Sequence, residues 1–143
     1  MAARSSTPAS AAVLKPQDYR LLAEFRHHLR TFLAFSESEA RAAGLAPQQH
    51  QALLAIKGFD GAPTVGDLAE SLLIRHHSAV GLVDRLVEAR LVMRCHDLDD
   101  RRRVTLALTR HADALLAELS VAHREELRRM APMLRTVLAS LEG

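Results

Sequence analysis

Apolar positions keep a three- and four-residue spacing along most of this chain and lose it only once. From Pro16, which can occupy the first position of a helix, Leu21, Leu22, Phe25, Leu29, Phe32 and Leu33 recur at helical intervals until Gly44. The spacing predicts a long first helix. About 25 residues at 1.5 Å each project about 40 Å, further than a small core reaches, so this helix is expected to pack against a second chain. Pro47 opens a shorter helix through Leu53, Leu54 and Ile56, which Gly58 and Gly61 close.

Thr64-Val65-Gly66-Asp67 has the form of a capping box, in which the threonine oxygen and the carboxylate three residues on satisfy each other's free amides. It predicts a helix start, with Leu68, Ala69 and Leu72 on the buried side. After a break at Leu73 and Ile74, a further helix runs from about His76 to Ala89, with Ala79, Val83 and Leu86 along one face. Then the period changes to two. Val92 to His96 reads as a strand, Asp97 to Arg103 as a charged loop, and Val104, Leu106 and Leu108 alternate with Thr105 and Ala107 as a returning strand. From Thr109 the helical period resumes through Leu115, Leu116, Leu119 and Leu127. Pro132 is expected to break this helix before a last one carrying Met133, Leu134, Val137, Leu138 and Leu141.

The composition agrees with a mostly α fold in one domain: 143 residues, 48% of them hydrophobic and only 3% aromatic, favour helices packed on helices. The formal charge is only +2, but the basic residues are almost all arginine, whose planar fork of donors matches phosphate and guanine edges. Cys95 is the single cysteine, so no internal disulfide forms, and a reducing cytoplasm is the expected location. No apolar run approaches the ~18 residues of a membrane span. Residues 1–14 are expected to be an unstructured leader, followed by one domain over 15–143. No nucleophile elbow, glycine-rich phosphate loop or paired-histidine zinc motif is present, so the reading is of a non-enzyme without a cofactor.

Two short helices joined by a tight turn and followed at once by a hairpin make a winged helix-turn-helix. Its second helix can enter a major groove while the hairpin loop reaches the neighbouring minor groove or backbone. Candidate chemistry therefore falls at two places. On the second helix, Arg75, His76, His77, Ser78, Gly81 and Arg85 should face away from the core, with His77 and Ser78 set to meet base edges and Arg75 and Arg85 to meet phosphates. Gly81 weakens the helix by about 1 kcal/mol relative to Ala, which would suit close approach of the backbone to DNA or reflect mere tolerance. In the loop, Asp99 and Asp100 precede Arg101, Arg102 and Arg103; alone, such a charge run reads as a solvated surface.

From Thr64 to Thr109 the chain resembles the MarR (multiple-antibiotic-resistance regulator) family. The likeness is carried by TVGDLAESL, by LVDRLVEARLV and by the wing DLDDRRRVTLALT, with the D-x-x-D-R-R pattern at Asp97, Asp100, Arg101 and Arg102 closing on Leu108-Thr109. Arg75, His76 and His77 stand where that family commonly has a serine cap and Pro-Ser, and Gly81 where a polar residue is frequent, so base preference does not carry over. The resemblance implies a homodimer that binds double-stranded DNA through a lobe over about 46–109, with dimerisation helices at about 16–43 and 110–141. It implies that Arg102 enters the minor groove, oriented by Asp100. It also implies a repressor of a pseudo-palindromic operator, released by a small phenolic or aromatic ligand; Phe25, His28, Arg30 and Phe32 on the first helix are the residues named for that ligand. Two alternatives stand beside it: a winged-helix protein-interaction module without DNA binding, and a regulator of the same fold that senses a metal or an oxidant. For the latter, Cys95 is read as a buried structural thiol, and His27, His28, His50 and His123 as ordinary surface or hydrogen-bonded core histidines with no metal among them.

Overall fold

The computed structural model describes residues 13–142. Most of the expected leader, residues 1–12, lies outside the described residues, as does Gly143. The described residues form five helices and one hairpin in the order α1 (Pro16–Ala42), α2 (Pro47–Gly58), α3 (Val65–Leu72), α4 (His76–Glu88), β1 (Val92–His96), β2 (Val104–Leu108) and α5 (Arg110–Glu142). This is the mostly α winged helix-turn-helix that the spacing predicts.

The first three helices start with the same device. A side chain at the third helical position accepts the amide of the residue before the helix: Asp18 that of Lys15 at 2.8 Å, Gln49 that of Ala46 at 2.9 Å, and Asp67 that of Thr64 at 2.9 Å. Only Thr64 has a hydroxyl to reciprocate, and its Oγ1 accepts the Asp67 amide at 3.2 Å. The α3 start is therefore doubly fixed. Its end is fixed by Leu73, which takes a left-handed conformation (φ 56°) and lets the Ile74 amide reach back to the Ala69 carbonyl. That residue makes the tight turn into α4.

One apolar cluster joins the elements. Leu53 and Ile56 of α2, Leu68 of α3, Leu82, Val83 and Leu86 of α4, Leu91 and Val92 at the root of β1, and Leu106 of β2 pack with Leu116 and Leu119 of α5. Leu82, absent from the face predicted for α4, belongs to it as fully as Val83. β1 and β2 pair antiparallel in the register Val92 with Leu108 and Cys95 with Thr105. α1 and α5 lie against each other beside this lobe, and α2 touches both of them as well as α3 and β2.

The break expected at Pro132 does not occur: α5 continues from Arg110 to Glu142 as one helix. Proline removes one main-chain bond and crowds the preceding turn, at about 3 kcal/mol. Here Met130 and Val137, on either side of it, are both buried, and their packing holds the helix together through the proline.

The α3 cap is directly testable. Removing the hydroxyl in Thr64→Ala is expected to lower stability by about 1 kcal/mol in denaturant unfolding. The Asp67 carboxyl is held below the usual carboxylate range, first by the Thr64 amide, then by the Thr64 hydroxyl, with the charge of Arg103 adding to them. Its contribution is complete above the pKa of the unfolded chain and is lost as pH falls through the lower folded value. Asp67→Asn should therefore show a shallower loss of stability on acidification than the wild type.

Candidate nucleic-acid interface

α4 is amphipathic, and apart from Val80 its exposed side is polar or small. Ala79, Leu82, Val83 and Leu86 are buried, whereas Arg75, His76, His77, Ser78 and Arg85 are exposed and Gly81 is partly so. Arg75 precedes the helix in an extended conformation, and no side chain caps the helix start. The first-turn amides of α4 thus keep their donors, in contrast to those of α3, at a helix end that favours anions. A Cβ built at Gly81 would meet Arg85 Nη1 at 3.5 Å, an ordinary contact, so nothing within the chain demands glycine there.

The hairpin loop is a folded turn. The Asp97 amide donates to the Arg103 carbonyl at 3.1 Å, and the Arg103 amide to the Asp100 carbonyl at 3.0 Å. The carboxylates serve the same backbone: Asp97 Oδ1 accepts the Asp99 amide at 2.9 Å and Asp100 Oδ1 the Arg102 amide at 3.0 Å. This corrects the expectation that Asp100 orients the Arg102 guanidinium. A short Asp side chain reaches an amide two residues on with little loss of freedom, and so shapes the turn itself. Leu98, Asp99, Asp100, Arg101, Arg102 and Arg103 all remain exposed at its tip. Of the three arginines, Arg103 has its charge directed in part towards Asp67, at the start of α3.

Four contacts fix this loop relative to α4. The Leu106 amide donates to the Pro63 carbonyl at 2.8 Å, which ties β2 to the segment leading into α3. The Thr109 hydroxyl donates to the Arg90 carbonyl at 2.8 Å and the Thr109 amide to the Leu91 carbonyl at 3.1 Å, which ties the base of the hairpin to the end of α4. Arg94 of β1 pairs with Asp84 of α4. Sequence reasoning missed Asp84 and Arg94. Their pairing depends on how the strand folds back over the helix, and no periodicity encodes that.

The four residues named for a ligand do not share one site. Phe25 and Arg30 line a cavity of about 530 Å³ on α1 with Leu22, Arg26, Leu29 and Leu33. Phe32 instead lies edge-on to His123, at 5.8 Å between ring centres, and His28 lies beside His27 at 6.0 Å. Cys95 is half-buried on β1, less enclosed than expected. Among the described residues no three His, Cys, Asp or Glu side chains are grouped to hold a metal. His123 is hydrogen-bonded, as expected of a core histidine, but His50 is not: it is buried with Nδ1 unpartnered.

Residues 43–103, which hold α2 to the wing, match the model of the MarR family. No curated protein matches the chain in sequence. Among solved structures it is similar to AbsC, a MarR family transcriptional regulator from Streptomyces coelicolor, at 20% identity and TM-score 0.71 over 91% of this chain and 90% of that one. It is similar to a MepR variant from S. aureus bound to an oligodeoxyribonucleotide, at 20% identity and TM-score 0.65 over 86% and 97%. It is also similar to Bordetella bronchiseptica BpsR, whose DNA binding is regulated by 6-hydroxynicotinic acid, at 25% identity and TM-score 0.61 over 90% and 92%.

The role of Asp100 can be separated from its charge. Asp100→Asn keeps an oxygen for the Arg102 amide and Asp100→Ala does not. Hydrogen exchange at that amide is expected to stay slow in the first and to quicken about two- to tenfold in the second, the worth of one ordinary hydrogen bond. Equal quickening in both variants would return Asp100 to a purely electrostatic role.

Proposed function

From the match of residues 43–103 to the MarR family model, we propose that the chain is a homodimeric, sequence-specific DNA-binding transcriptional regulator. The observation that carries this reading is the joint exposure of the uncapped start of α4 and the Arg101–Arg103 wing on one rigid lobe. In the proposed complex α4 lies in a major groove. His77 and Ser78 meet base edges, Arg75 and Arg85 meet phosphates, and Arg102 at the wing tip enters the adjacent minor groove, where narrow segments attract guanidinium groups. Arg101 and the outward part of Arg103's field add backbone attraction.

A two-fold dimer would present two such lobes about one helical turn apart on a pseudo-palindrome. Exposed apolar side chains support that assembly: Leu22, Leu29 and Leu33 on α1, and Leu127, Met133, Leu138 and Leu141 on α5. We assign the lobe to about 46–109 and the dimer helices to about 16–43 and 110–141. Repression, relieved by a small aromatic ligand, is the reading for its regulation. BpsR, whose DNA binding is regulated by 6-hydroxynicotinic acid, provides a precedent for control by such a molecule. No helix of the described residues is long and apolar enough to cross a membrane.

A gel-shift titration with the DNA upstream of its own gene, run alongside sedimentation of the free protein, tests this. A dimer forming one discrete complex that survives excess scrambled duplex and weakens steeply with salt is expected. Absence of any sequence-specific complex would favour a winged-helix module that binds another protein instead.

A further inference from the structure

Where α1, α2 and α5 meet, two imidazoles are packed against each other inside the protein. His50 of α2 and His123 of α5 have ring centres 4.8 Å apart and are 4% and 9% exposed. Phe32 and Phe35 of α1 lie edge-on to His123, at 5.8 and 5.4 Å. The two rings are not equivalent. His123 Nδ1 lies 2.6 Å from the Leu119 carbonyl, which can only accept, so that nitrogen carries a proton; its Nε2 lies 2.8 Å from Ser36 Oγ. A hydroxyl can donate or accept. His123 can therefore be neutral or charged without giving up either bond. His50 has no such provision, because its buried Nδ1 has no partner among the described residues.

We propose that this pair is a proton-operated switch: with one proton too many for the two rings, α2 parts from α5, the winged-helix lobe shifts against the long helices, and DNA is released. The release rests on the DNA-binding reading above; the proton-driven parting does not. Two imidazolium groups in contact, one with no acceptor, repel each other and have lost water without replacement. Burial first, and the neighbouring His123 second, hold His50 below its ordinary value of 6.5, so the folded protein keeps it neutral. The unfolded or parted chain takes up the proton more readily. Stability of the closed joint is therefore complete above that ordinary value and falls as pH drops through it towards the folded value.

No carboxylate relieves the pair. Among the described residues none lies within ion-pair distance of either ring. α1 contributes Phe32, Phe35 and Ser36, and α5 contributes Leu119 beside His123. The acids close to the pair along these helices are Glu37 and Glu39, beside and one turn beyond Ser36, and Glu125 and Glu126, beyond His123 and paired with Arg128 and Arg129. α2 is well placed to transmit the change, since it packs against α1 and α5 as well as against α3 and β2.

The sign separates this switch from the histidines proposed to face DNA. His76 and His77 are exposed, and charging them would tighten binding to a polyanion, whereas charging the buried pair would loosen it. The test compares wild type, His50→Gln and His123→Gln at constant ionic strength from pH about 7.5 to about 5.5. Three readouts are taken: thermal midpoint, operator affinity by anisotropy, and, in the wild type alone, NMR titration of the imidazole and α2 amide signals.

Acidification is expected to lower the wild-type midpoint by about 2–4 °C and its operator affinity about five- to tenfold. In both variants these losses should shrink or reverse. The NMR titration needs no variant to fold: the His50 signals should move only below the ordinary histidine range, together with the α2 amides. A wild-type profile no steeper than the variants', or His50 titration that leaves α2 unmoved, would overturn the switch. If no specific DNA complex forms at any pH, the DNA-binding reading fails by itself, and midpoint and NMR still decide whether the pair drives the joint open.

Discussion

The surface proposed to read DNA depends on the apolar seam of α4. Leu82, Val83 and Leu86 enter the cluster built by Leu53, Leu68, Leu91, Val92 and Leu106, Ala79 is buried on the same side, and that burial sets the rotation of the helix. Turning α4 by one residue, about 100°, would carry the seam into water and bury Arg75 or His77 instead. Fully burying each of the side chains of Leu82, Val83 and Leu86 is worth about 1.5–3 kcal/mol, so the three together fix the helix firmly. The polar face is outward because the apolar face cannot be.

The wing obeys a second constraint of the same kind. A charged loop would ordinarily wander, yet this one is held at its base by Leu106, Thr109 and the Arg94–Asp84 pair, and at its tip by the carboxylates of Asp97 and Asp100. Acidic residues next to an arginine proposed to read DNA make sense in that role. They contribute to turn geometry, and the order they impose lowers the entropy lost when the tip docks. α2 connects this rigid lobe to the long helices, and His50, buried with Nδ1 unpartnered among the described residues, sits at that connection.

Local signals were readable from the residues alone. The Thr64–Asp67 box, the outward face of α4 and the alternation of the hairpin each follow from neighbours a few positions apart, and all three appear in the structure. What could not be read depends on distant partners. Pro132 signals a break, but Met130 and Val137 bury on both sides of it. Asp84 with Arg94, and His50 with His123, meet only because separate elements fold together. Asp100 failed differently: the motif identified the residue but not which donor its carboxylate would take.

The central claim is that the wing and α4 read DNA as one surface. A fluorescence-anisotropy titration of wild type and Arg102→Ala against the upstream DNA, at two salt concentrations, tests it most directly. The account predicts tight binding by the wild type, weaker binding by the variant, and a salt slope smaller by about one in the variant if Arg102 also neutralises a phosphate. Identical affinity and slope for the two proteins would contradict the reading wing, and no specific binding by the wild type would contradict the DNA-binding account as a whole.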